Sequence, residues 1–193
     1  QENNDVFQVI KEISQTDFYE GNKQHSIEHI QKVILFSGIL ANGEQISKEE
    51  RKLLLTAAAF HDSGRKGQDG NVDHAEPSAK LAGEQLRKNK KFGEYNPTEI
   101  AMIQTAIRYH EFNETEKGKI DNEAIKNFIE EYSKENGKVE LSEQQIEETK
   151  RICALLKDAD ALDRYRFANR GTLKKEFLRT KTAKDSNILH LAQ

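Results

Sequence analysis

Imidazole is the side chain that titrates near neutral pH without help from its surroundings. This sequence carries six: His25, His29, His61, His74, His110 and His190. All but His190 fall at or beside expected helix ends and polar turns. His25 and His29 are four apart, so on a helix both project from one face. His61 and Asp62 close a strongly apolar run, Leu53 to Phe60. A histidine and a carboxylate at the buried end of a core helix need partners, because an uncompensated charge there is costly. Asp158, Asp160 and Asp163 pose the same problem on an apolar stretch around Leu155, Leu156, Ala159, Ala161 and Leu162. The simplest shared partner for imidazoles and carboxylates on converging helices is a divalent metal. That ligand mix suits Mn, Fe, Zn, Ni or Co better than Ca, with Mg retained as a further candidate.

A metal so placed polarises a phosphate oxygen and lowers the pKa of bound water. The histidines also allow chemistry without metal. One near neutral pKa can take a proton from water and return one to a leaving group, or attack phosphorus itself. Arg65, three residues past Asp62, can clamp a phosphate oxygen with two hydrogen bonds, although a loop arginine is also an ordinary surface residue. Arg108 can hold a phosphate or a stabilising ion pair. His190 lies outside the pattern and reads as a surface residue.

The elements that must deliver these groups read as helices. Only two prolines, Pro77 and Pro97, interrupt the chain, and strand-like alternation is scarce. The first helix covers roughly 6–16. The second covers roughly 24–41, with Ile27, Ile30, Val33, Ile34 and Ile39 on its apolar face. The third runs over about 47–62, where Ser47 and Glu50 have capping-box spacing. A loop with Gly64, Gly67 and Gly70 leads to a helix over about 75–89. Asn96, Pro97 and Glu99 open the next, which reaches Tyr109. Another covers about 121–133. Ser142 and Gln145 cap a last long one running to about 166, and a short helix can follow in the tail. The expectation is an all-α bundle of about seven helices in a single domain, 1–193. Its core spans 24–166, with a Glu/Lys-rich helical insertion at about 113–140 and a C-terminal extension at 172–193.

Composition narrows the function. With 193 residues and a formal charge of −3, the chain can bury a real core but offers no strongly basic field for nucleic acid. The run Arg87 to Lys91 reads as a solvated helix end. No stretch approaches the ~20 apolar residues of a membrane span. One cysteine, Cys153, excludes an internal disulfide and a cysteine-based zinc knot; its apolar neighbours make it a buried thiol.

The stretches His25-Ser-Ile-Glu-His29-Ile-Gln-Lys-Val33, Ala58-Ala59-Phe60-His61-Asp62-Ser63-Gly64-Arg65 and Leu156-Lys157-Asp158-Ala159-Asp160-Ala161-Leu162-Asp163 together resemble the HD-domain superfamily of metal-dependent phosphohydrolases. The resemblance covers roughly 24–166 and implies His29, His61, Asp62 and Asp160 as metal ligands. His74 and His110 would complete a two-metal set, as in binuclear members. Phe60 to Arg65 followed by a Gly/Asp loop, with His25-x-x-x-His29, is more narrowly similar to the phosphodiesterase domain of SidE-type bacterial effectors. That resemblance implies cleavage of a phosphodiester or pyrophosphate on ADP-ribosylated or phosphoribosyl-linked ubiquitin, in a scaffold that can work without metal. His25 would then be the nucleophile or base, and His110 the acid, oriented by Glu76, with His74 competing for the place of Glu76. An acidic rim would face the basic side of ubiquitin. The location implied is bacterial cytoplasm, or a host cell for a secreted effector.

Three readings therefore stand: a phosphodiesterase using His25 and His110, a metal-dependent nucleotide phosphohydrolase, and a non-catalytic helical binding module. The catalytic readings require His25, His29, His61, Asp62, His110 and Asp160 to line one cleft.

Overall fold

The computed structural model describes residues 4–19, 26–65, 73–111, 120–163, 173 and 175–192. Among them are eight α-helices and no strand: α1 (Asn4–Ser14), α2 (Ile27–Gly43), α3 (Lys48–Phe60), α4 (Ala75–Lys88), α5 (Pro97–Tyr109), α6 (Asn122–Asn136), α7 (Glu143–Leu162) and α8 (Ser186–Ala192). The all-α expectation holds. None of the described helices is long and apolar enough to cross a membrane.

Local chemistry sets the starts. Ser47 with Glu50, Asn96 with Glu99 and Ser142 with Gln145 each form a complete capping box, and Pro97 sits in the first turn of α5. Each box satisfies two backbone N–H groups that a helix start otherwise leaves without partners. The ends differ from expectation. α3 stops at Phe60 with His61 as its C-cap, so His61 and Asp62 follow the helix end. α7 stops at Leu162 with Asp163 as its C-cap, Asp158 and Asp160 lie in its last turns, and 164–166 are outside the described residues.

α3 is the hub. It packs against α1, α2, α4, α5 and α7. Every residue from Leu53 to Phe60 is buried, which explains why that run shows no polar stripe: a helix surrounded on all sides has no solvent face. α2, α5 and α7 close around it, and α4 lies along α5. The helix expected over 121–133 packs Ile125, Ile129 and Tyr132 with Ala101 of α5, Val139 and Ile146 of α7 in a smaller cluster. Arg51 ties three helices together, donating to Asp5, to the Gly38 carbonyl at 2.9 Å and to Asn42 at 2.7 Å. Cys153 is fully buried as expected, and burial pushes its thiol up to about 12.

The three aspartates of α7 part company. Asp158 does not join the others: its carboxylate accepts the backbone N–H groups of Arg179 (2.9 Å) and Thr180 (2.8 Å), with Thr180 Oγ1 at 2.9 Å and Arg179 Nη1 at 3.2 Å. Residues 158 and 160 are about 200° apart on a helix, so one faces the C-terminal segment and the other the histidines. Asp158 thus holds 178–183 against the core, where Leu178 and Ala183 are buried. Asp158→Ala should cost about 3–5 kcal/mol, the penalty for breaking a buried charged network, read by urea denaturation, while leaving metal affinity unchanged.

Candidate metal centre

Helix ends supply the centre, and their unsatisfied carbonyls explain how. At the end of α3, the His61 Nδ1–H donates to the Ala58 carbonyl at 2.8 Å. The Tyr19 hydroxyl donates to Ala59 at 2.7 Å, and Ser63 Oγ to Phe60 at 2.8 Å. At the end of α5, the His110 Nδ1–H donates to the Ile107 carbonyl at 2.6 Å. A carbonyl can only accept, so in both rings the Nδ1 carries a proton, and in the neutral form Nε2 carries a lone pair.

The other two imidazoles are backed by carboxylates. His29, in the first turn of α2, places Nδ1 2.6 Å from Asp163 Oδ2. His74, the N-cap of α4, pairs its Nδ1 with Glu111 Oε1. Glu111 also accepts the Ala75 N–H at 3.2 Å, supplying the N-terminal cap that His74 itself does not make and placing a negative charge at the helix start.

With each Nδ1 engaged, the four Nε2 atoms converge in two pairs: His29 with His61 at 3.3 Å, and His74 with His110 at 3.2 Å. Asp62 stands between the pairs. Its Oδ2 lies 3.6 Å from His29 and 3.8 Å from His61; its Oδ1 lies 2.7 Å from His74 and 3.8 Å from His110. Asp160 Oδ1 completes the first pair, 3.3 Å from His29 and 3.8 Å from His61. Two ligand sets result, His29/His61/Asp160 and His61/Asp62/His110, each with its donor atoms within 4.8 Å of one another. Nitrogen lone pairs facing at this distance repel unless a proton or a metal ion lies between them, so the donor set fits a divalent ion. Asp160 keeps about a quarter of its side chain accessible and marks the opening; His29, His61 and Asp62 are buried.

Protons take the cation's place when no ion is bound. Burial disfavours charge on His29, but hydrogen bonds to Asp160, Asp163 and Asp62 outweigh it and raise its pKa to about 10. His74 rises to about 9: burial again opposes, and Asp62 and Glu111 win despite the nearby Arg65 charge. Burial dominates at His61 and lowers it to about 4. Asp160 and Glu111 are lowered; burial opposes, but His29 and His74 respectively prevail.

His29, His61, Asp62, His74, His110 and Asp160 are thus brought together, with Arg65 beside them, its Nη2 3.6 Å from Asp62 Oδ1. Glu76 is not. Its carboxylate pairs with Lys80 at 2.9 Å and Arg108 at 3.7 Å on the outside of α4, because two residues of helix rotate it to the side opposite His74. The group it was expected to orient, His110, is held instead by the Ile107 carbonyl. Arg108 makes the ion-pair alternative real, reaching Asp73 and Glu76. His190 is exposed on α8, and His25 lies outside the described residues. Sequence reading missed Asp163 and Glu111 as backing groups. Asp163 had a signal, its i+3 relation to Asp160. Glu111 had none, since its partner is 37 positions away.

A family model described as HD domain matches residues 26–165, a span that contains all six clustered residues. No curated protein and no solved structure matches the chain.

An ion entering the first pair must displace the His29 proton. Since that pKa is raised, the proton is present throughout the range below about 10 and is lost above it. Mn²⁺ affinity should therefore rise from pH 7 to 9, with about one proton released per ion. Titration calorimetry in buffers of different ionisation enthalpy reads this directly; pH-independent binding would contradict it.

Proposed function

The chain belongs to the HD-domain family, and from that premise we propose that its His/Asp centre is a metal-dependent phosphohydrolase site that cleaves a phosphodiester or pyrophosphate bond. Phosphohydrolysis is the general chemistry of that family. The observation that carries the reading is the convergence of four imidazole Nε2 atoms around the shared Asp62 carboxylate, each ring turned by a partner on Nδ1. Metal-ligating histidines are oriented in this manner.

His29, His61, Asp62 and Asp160 would hold the ion. A bound divalent ion supplies charge for a phosphate oxygen and a nucleophilic water at neutral pH. The chain's own groups do the rest. Asp163 and the Ala58 carbonyl fix two ligand rings, which lowers the cost of organising the site. Arg65 presents a planar guanidinium that matches two phosphate oxygens. His110 Nε2 faces the cluster, where an imidazole can exchange a proton with water or the leaving oxygen. Burial of His29, His61 and Asp62 strengthens each of these electrostatic contacts.

The narrower substrate is ADP-ribosylated or phosphoribosyl-linked ubiquitin, and it is supported by the sequence resemblance of His25 to His29 and Phe60 to Arg65. That version uses His25 and His110 directly. The two versions separate on chelation. Purified protein should hydrolyse bis(p-nitrophenyl) phosphate or a nucleotide pyrophosphate, lose activity in EDTA and regain it with Mn or Co. His61→Ala should lower turnover at least about 100-fold, the upper range for disturbing a metal's surroundings. Activity that survives EDTA but not His25→Ala would replace the metal reading with the direct-histidine one, and ADP-ribosylated ubiquitin analysed by mass spectrometry would be its substrate test. Absence of turnover on every phosphate substrate would leave the binding-module reading.

A further inference from the structure

The two halves of the centre are not equivalent. The half formed by Asp62 Oδ1, His74 Nε2 and His110 Nε2 has a cation of its own. Arg65 Nη2 lies 2.8 Å from His74 Nε2 and 3.6 Å from Asp62 Oδ1. The Arg65 side chain is only 11% accessible, and its Nε is buried with no hydrogen-bond partner. The contact to His74 Nε2 and the charge of the Asp62 carboxylate hold the guanidinium there. Among the described residues, the lysine near the first half is placed differently. Lys32 is mostly exposed, and it reaches Asp163 Oδ1 at 3.6 Å on the Nδ1 side of His29, away from the converging Nε2 atoms.

Backbone packing delivers the guanidinium. The Arg65 N–H donates to the Asp62 carbonyl at 3.0 Å, closing a tight turn. The Gly64 N–H donates to Ser78 Oγ at 2.8 Å. A Cβ on Gly64 would come within 2.3 Å of the Ser78 nitrogen and 2.5 Å of the Pro77 carbonyl carbon. Only glycine lets this turn press against the start of α4, and that contact carries Arg65 over His74.

We propose that Arg65 is the resident cation of the His74/His110 half, and that it restricts the centre to one tightly held divalent ion, in the His29/His61/Asp62/Asp160 half. This rests on the metal-dependent reading above. An ion bound to His74 and His110 needs bonds of about 2.0–2.1 Å to their nitrogens. A guanidinium nitrogen so near one ligand and the shared carboxylate occupies that space and repels a second divalent charge. The substrate phosphate then meets one metal ion and one arginine fork, in place of two ions.

The test is metal stoichiometry on the full chain, stripped and then titrated with Mn²⁺ by calorimetry, with ion content measured by elemental mass spectrometry and folding followed by circular dichroism. Wild type should bind one tight ion. Arg65→Gln should bind two, the second about 10–100-fold tighter than any second ion in wild type, the range by which neighbouring groups tune metal affinity. Arg65→Lys, which keeps the charge, should stay at one, and adding His74→Ala to Arg65→Gln should return that variant to one. Two equally tight ions in wild type, or a folded Arg65→Gln that stays at one, overturns the proposal and leaves the metal-dependent reading intact. No tight ion in wild type or in Arg65→Gln overturns that reading and this proposal with it.

Discussion

Asp62 carries a buried carboxylate, and each of its oxygens faces a different pair of histidines. A lone buried anion is unsustainable without cations or hydrogen-bond donors around it. That requirement organises the centre. It explains why imidazoles arrive from α2, α3, α4 and α5, why Arg65 folds inward, and why Asp160 and Asp163 at the end of α7 can also be brought near. The positive charge needed to hold three aspartates together is supplied by protons on His29 and His74, or by an ion in their place.

The position of Asp62 is in turn a consequence of α3. From Leu53 to Phe60 that helix is buried on every face, so this part forms the centre of the bundle, and its last turn ends inside the molecule. A helix that ends inside leaves carbonyls to be satisfied. His61, Tyr19 and Ser63 take three of them. The same bond that completes the helix therefore fixes the tautomer of His61, and α5 repeats the arrangement with His110. Structural closure and ligand orientation are one interaction at these two sites. At His29 and His74 the backing group is a carboxylate, which makes the ring more basic and a stronger, more proton-sensitive donor. Each half of the centre contains one ring of each kind.

Much of this was legible in the sequence. Ser47/Glu50, Asn96/Glu99 and Ser142/Gln145 act over three residues, so their caps could be read without knowing the fold. The continuous apolar run ahead of His61 and Asp62 announced a buried helix end. The residue types at 29, 61, 62, 74, 110 and 160 determined that a site, if formed, would be made of imidazole and carboxylate. Family membership followed from the same positions.

What the tertiary structure decided was which charge meets which. Asp158, Asp160 and Asp163 look alike along the chain, yet one pins the C-terminal segment, one joins the ligands and one backs His29, because a helix points successive positions in different directions and only packing fills those directions. Glu76 and Glu111 exchange their expected importance for the same reason. Glu76 turns outward to Lys80 and Arg108, while Glu111 reaches His74 across the junction of α4 and α5. Sequence fixes the local periodicity and the chemical type of each group; the partner across 30 or 100 residues depends on how the helices pack, and no short-range pattern encodes it.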